Sequence, residues 1–190
     1  MPGPAYSIGG TSLGCIAGAQ ALPPEGPGWQ VVRLSRNRNW GHPTLIAALR
    51  QLAGRARAAG LPDLWIGDLG QPRGGPMPYG HASHQIGLDA DIWLDLSPKP
   101  LVPARARENI PERSLVLPDQ SMADPHLFTP AHARLIRLAA ELPGARVLEG
   151  RRHVLQRHDA GRVIDAFAAR LRDQVDLDAL HGELLGVVDQ

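Results

Sequence analysis

His81, His84, Asp89 and Asp91 crowd two imidazoles and two carboxylates into eleven residues. Imidazole nitrogen and carboxylate oxygen are donors of catalytic zinc sites, which use three protein ligands and keep a fourth position for water. If His84 and Asp91 share one ion, the chain is a metal-dependent hydrolase. The plainer reading makes His81 and His84 surface or capping residues and turns the carboxylates to solvent. Over residues 87–96, Leu88, Ala90, Ile92 and Leu94 alternate with Asp89, Asp91, Trp93 and Asp95. That period of two predicts a strand with Asp89 and Asp91 on one face, directly after the loop that carries the histidines.

The elements needed to hold such a loop read as an α+β domain: a small antiparallel sheet flanked by helices, with long Gly/Pro loops. Pro43 stands at a first helical position, Leu45, Leu49, Leu52 and Ala56 follow at helical spacing, and Gly60 stops the run, predicting a helix over 43–60. Thr129-Pro130 opens a second helix through Leu135, Leu138 and Leu142, predicted over 130–142. Strands are expected at 30–34 and 64–68, with weaker signals at 115–117 and 145–148. Residues 1–42 otherwise read as a loop-rich entry. The 21 glycines and 18 prolines concentrate in the first 130 residues, as ordered loops around a small sheet require. From about Asp159 the pattern changes to two amphipathic helices. One carries Ile164, Phe167, Ala168 and Leu171; the other follows Asp176 with Leu177, Leu180, Leu184 and Val188. The expected organisation is therefore a domain over 1–150 and a helical C-terminal appendage over 151–190.

Composition narrows the function classes. With 20 Lys+Arg against 19 Asp+Glu, the net charge of +1 makes no electrostatic case for nucleic acid or an anionic membrane. No apolar run approaches the length of a membrane span. The opening Met-Pro-Gly-Pro-Ala-Tyr lacks a basic region followed by an apolar stretch, so no signal peptide is read there. Cys15 is the single cysteine, which excludes an internal disulfide. It is expected as a small buried residue.

The segments Gly14-Cys-Ile-Ala-Gly-Ala19, Gly41-His-Pro43, Ile66-Gly-Asp68 and Gly80-His-Ala-Ser-His-Gln-Ile-Gly-Leu-Asp-Ala-Asp-Ile-Trp93 resemble the penicillin-insensitive murein endopeptidases. That family sits in a wider metallopeptidase group with lysostaphin-like and D-Ala-D-Ala-cleaving enzymes. The likeness runs in order from about residue 6 to about residue 147. It implies a periplasmic zinc hydrolase that cuts the peptide cross-links of peptidoglycan. His84 and Asp91 match the family's H-x6-D zinc ligands, and His81 matches a further site histidine. Asp119 falls where some members place a carboxylate of a second metal site, although the histidine expected three residues on is Met122 here.

The chain also departs from the pattern. Family members carry an H-x-H pair in a final strand, which provides the third zinc ligand, and this chain has none. The tail histidines His153, His158 and His181 are the candidates for a replacement, with Arg151, Arg152 and Arg157 opposing a cation near the first two. Residues 158–190 resemble, weakly, a linker of bacterial multi-pass sensor proteins. Two other functions follow: a catalytically impaired member that binds cell-wall peptide or a protein, or a chain whose tail packs Leu177, Leu180 and Leu184 on a partner. His42, His126 and His132 are expected in structural or surface roles, and Asp68 as a turn-capping carboxylate. Asp89 either orients the His84 ring or shapes the strand face. Tyr79 and Trp93 are read as substrate contacts or core. The substrate groove is expected between the 70–80 and 97–125 loops.

Overall fold

Leu64-Trp-Ile66 is the centre of the architecture because all three side chains are buried. The structure, a computed structural model, describes residues 4–118 and 123–147. Asp119, Met122, the two tail helices and His153, His158 and His181 lie outside the described residues. In chain order the strands are β1 (Tyr6–Gly10), β2 (Leu13–Ala17), β3 (Gln20–Ala21), β4 (Glu25–Gly26), β5 (Trp29–Val31), β6 (Trp40–Gly41), β7 (Leu64–Ile66) and β8 (Ile92–Trp93). The helices are α1 (Pro43–Ala58) and α2 (Pro130–Ala140).

This is the expected α+β arrangement, with one difference in the sheet. Its order is β4-β5-β7-β8, and the central β5–β7 pair is parallel while the outer pairs are antiparallel. A parallel pair needs a crossover between its strands, and α1 occupies that stretch of chain. The sheet is covered on both faces, so β7 is apolar throughout rather than alternating. Leu22, Val31, Leu64 and Ile66 share one core with α1 residues Ile46, Leu49 and Leu52 and with Leu135 of α2. Trp65, Trp93 and Val32 pack on the opposite side with Val102 and Ile110. Trp93 is thus core, not a substrate contact.

Two histidines expected in structural roles prove to be helix caps. His42 precedes Pro43 and accepts from the Thr44 N–H at 3.2 Å. His132 Nδ1 accepts from the Thr129 N–H at 3.0 Å in a reciprocal cap of α2, and its Nε2 lies 2.9 Å from the Leu94 carbonyl oxygen. His126 is exposed. Among the described residues no helix is long and apolar enough to cross a membrane.

Several strands are shorter than their sequence patterns. The strand predicted over 87–96 contracts to Ile92–Trp93, and 115–117 yields only a bridge between Val116 and Ala123. Residues 145–147 form no strand. For 87–96 the reason is local. Gly87 has φ +66, and its carbonyl accepts from His42 N–H at 2.7 Å, which turns the chain out of the ladder. The left-handed φ, with the His42 N and Gly41 Cα backbone atoms 3.1 and 3.2 Å from where a Cβ would sit, favours glycine there.

The β1–β2 hairpin was not legible in advance, because Tyr6, Ile8 and Leu13 are exposed rather than buried. Cys15 corrects an expectation: it is exposed on β2, while its neighbour Ile16 takes the buried position.

Candidate metal centre

The β7–β8 pairing builds the site. Beyond the paired Ile66 and Ile92, Asp91 N–H donates to the Asp68 carbonyl at 2.9 Å and Gly67 N–H donates to the Asp91 carbonyl at 2.8 Å. Asp68 and Asp91 therefore stand side by side where the two strands meet the His loop. The loop itself is fastened from outside by Gln85. Its Nε2 donates to the carbonyls of Ser12 (3.0 Å) and Ala82 (3.1 Å), and its Oε1 accepts from Gly14 N–H at 3.2 Å. Gln85 N–H donates to the Thr11 carbonyl at 3.1 Å, and Ser7 Oγ donates to the Ile86 carbonyl at 2.8 Å. The hairpin is thus a clamp on the loop. Gln85 is buried, and truncating it strands three polar partners. Gln85→Ala is expected to cost about 2–3 kcal/mol in urea unfolding of the chelator-treated protein; a loss below about 0.5 kcal/mol would remove the clamp.

Between clamp and strands the donors converge. One nitrogen from each of His81 and His84 and one oxygen of Asp91 lie within 4.8 Å of one another, the one such group among the described residues. His84 Nε2 is 3.4 Å from Asp91 Oδ1, and His81 Nε2 is 3.4 Å from Asp91 Oδ2. The two rings meet edge to face with centroids 4.9 Å apart. His84 is 3% exposed, whereas His81 is 37% exposed. His84 also has φ +68, a left-handed backbone uncommon for a residue with a Cβ.

Asp89 settles in favour of orienting His84. Its Oδ2 lies 2.9 Å from His84 Nδ1 and accepts from His84 N–H at 3.1 Å. That leaves Nε2 for the cluster, yet Nε2 is buried and has no hydrogen-bond partner: Asp91 is near enough for charge attraction but not aligned. Burial alone would discourage charge on this ring. The hydrogen bond to Asp89 and the nearby negative charges of Asp91 and Asp89 outweigh it and raise the His84 pKa to about 10. A buried nitrogen without a partner, facing carboxylates, is an arrangement that a cation completes.

Asp68 is not the turn cap it was expected to be. It is 4% exposed, and its Oδ2 accepts from Arg38 Nη1 at 2.8 Å and Arg36 Nη1 at 3.1 Å. The same oxygen lies 3.6 Å from His81 Nε2. Arg38 also donates to the Tyr79 carbonyl at 2.9 Å and sits 4.3 Å from the centre of its ring. Arg36 and Arg38 carried no sequence signal beyond their separation by one residue. Among the described residues, one cavity of about 540 Å³ lies against the β1–β2 hairpin and another of about 250 Å³ beside Leu94, Arg113 and the start of α2. Neither is lined by His81, His84 or Asp91, and neither is the groove expected between the two loops.

A family model for penicillin-insensitive murein endopeptidase matches residues 7–148. The chain belongs to that family. Three relatives called penicillin-insensitive murein endopeptidase illustrate the similarity. The Haemophilus influenzae protein is 47% identical over 143 residues, covering 74% of this chain and 49% of the relative. One from Klebsiella pneumoniae is 42% identical over 139 residues, 73% of this chain and 50% of its own. One from Escherichia coli is 40% identical over 141 residues, 74% and 51% respectively. The chain spans about half the length of the curated relatives it matches. The matched span of the murein endopeptidase family contains every donor of the cluster and the whole Asp68–arginine network.

Proposed function

We propose that the chain is a zinc-dependent endopeptidase of the periplasm that cleaves peptide cross-links of peptidoglycan. The observation that carries this reading is the convergence of His81, His84 and Asp91, with a buried His84 nitrogen lacking any partner. Two imidazoles and a carboxylate make a donor set suited to zinc. An ion held there supplies Lewis acidity, polarising a carbonyl and acidifying water.

The chain's own residues divide the remaining work. Asp89 fixes the His84 ring through Nδ1, so that Nε2 faces the ligand position. Asp91 presents one oxygen towards each imidazole. His81 is the exposed donor, and its side of the cluster is where substrate enters. Asp68, buried between two guanidiniums, holds His81 from behind. His84 must give up its proton to ligate, so metal uptake releases protons.

The absence of an H-x-H pair favours a second reading, a family member that binds cross-link peptide without turnover. Asp119 remains the proposed carboxylate of a second metal site. Digestion of cross-linked muropeptide dimers separates the readings. Dimers should convert to monomers with zinc and persist with chelator. Dimers that bind yet persist at high protein concentration with added zinc would establish the second reading and end the first.

A further inference from the structure

We propose that Arg36, with the Tyr79 ring beside it, forms a subsite for a substrate carboxylate next to the metal donors, an inference that rests on the endopeptidase reading above. Three observations converge on this arginine. The first is charge. Asp68, Asp89 and Asp91 bring three carboxylates to the two imidazoles, and Arg36 and Arg38 return two positive charges. A divalent cation among the donors leaves the cluster with a surplus positive charge. Arg38 is 3% exposed and closed in by Asp68 and Tyr79, whereas Arg36 is 25% exposed. Arg36 is the guanidinium that a ligand can reach.

The second observation is backbone strain. Among the described residues, the non-glycine positions with positive φ are Arg33 (+55), Asn37 (+53) and His84 (+68). His84 is a metal donor. The other two bracket the 3-10 turn Leu34–Arg36, which delivers Arg36 to Asp68; asparagine accepts this backbone readily, so the strain falls on Arg33. Such conformations persist only where the surroundings enforce them, and they gather at ligand clamps. Here Glu108 accepts from both Ser35 N–H and Ser35 Oγ, and Asn37 Oδ1 accepts from Trp40 Nε1 at 2.7 Å. The turn is anchored on both sides.

The third is the exposed aromatic. Tyr79 is 58% exposed although Arg38 lies under its ring and Arg36 Cζ is 5.8 Å from the ring centre. An exposed ring fixed beside an accessible guanidinium provides apolar contact and a planar, two-toothed partner for carboxylate. Because Arg36 and His81 share Asp68 Oδ2, that carboxylate would be bound close to the scissile amide.

The test compares two uncleavable ligands on zinc-loaded protein: a muropeptide dimer with a ketomethylene in place of the cross-link amide, carrying free carboxylates, and its carboxamide counterpart. Titration calorimetry of the wild type is expected to show about tenfold tighter binding of the carboxylate form. R36Q should reduce that preference to less than about twofold while its zinc content stays at the wild-type value, and R36K should fall between them. A wild type without preference, or R36Q and R36K both keeping it in full, overturns the subsite. Preference with no cleavage of the natural dimer leaves the subsite standing and removes the endopeptidase reading. Cleavage without preference does the reverse.

Discussion

His84→Asn is expected to bring zinc content from about one ion per chain to less than about a tenth, after purification without chelator. The residue is the most buried donor of the cluster, and its Nε2 has no other partner. Losing an outer partner of a metal ligand costs roughly 10–100-fold in affinity; losing the ligand itself should exceed that range. Asparagine is the informative replacement because φ is +68 at this position. Asn is among the few residues that accept a left-handed backbone, and alanine would add strain to the readout. The N–H bond to Asp89 survives the change, so the loop stays anchored. Circular dichroism should match the wild type while muropeptide cleavage disappears. Unaltered zinc content in this variant would exclude His84 as a ligand.

Asp68→Ala is expected to produce the largest loss of stability, about 3–5 kcal/mol in urea unfolding of metal-free protein. Its carboxylate is buried against Arg38, which is buried as well, and removing it leaves a guanidinium without a counter-charge. The backbone makes the position harder to relax. Leu69 N–H donates to the Arg38 carbonyl at 2.7 Å, and Asp91 N–H to the Asp68 carbonyl at 2.9 Å. A turn-capping carboxylate would cost only about 1 kcal/mol on removal. A measured loss near that lower figure would mean that Arg38 finds water or another partner.

Comparison of these two residues shows what the sequence disclosed. His84 and Asp91 lay in one short segment, where spacing left ligand and surface roles open and the resemblance to the family chose between them; the strand expected to place Asp89 and Asp91 on one face shrank to Ile92–Trp93. Asp68, Arg36 and Arg38 reach the site through β7 and the 3-10 turn Leu34–Arg36, elements brought together by the sheet. Their partners are about thirty residues apart in the chain, and no periodicity records such pairings. Helices α1 and α2 were legible because their apolar spacing and Pro starts act locally. The β1–β2 hairpin was not, since its exposed Tyr6, Ile8 and Leu13 imitate a loop. The parallel β5–β7 pair was missed because short apolar strands carry no mark of their direction.

X-ray absorption at the zinc edge, on protein loaded with one equivalent of zinc, bears most directly on the joint ligation by His81, His84 and Asp91. The expected first shell contains two imidazole nitrogens and at least one carboxylate oxygen, at about 2.0–2.2 Å. A shell with fewer than two imidazoles, or one with sulfur from Cys15 at about 2.3 Å, would contradict it.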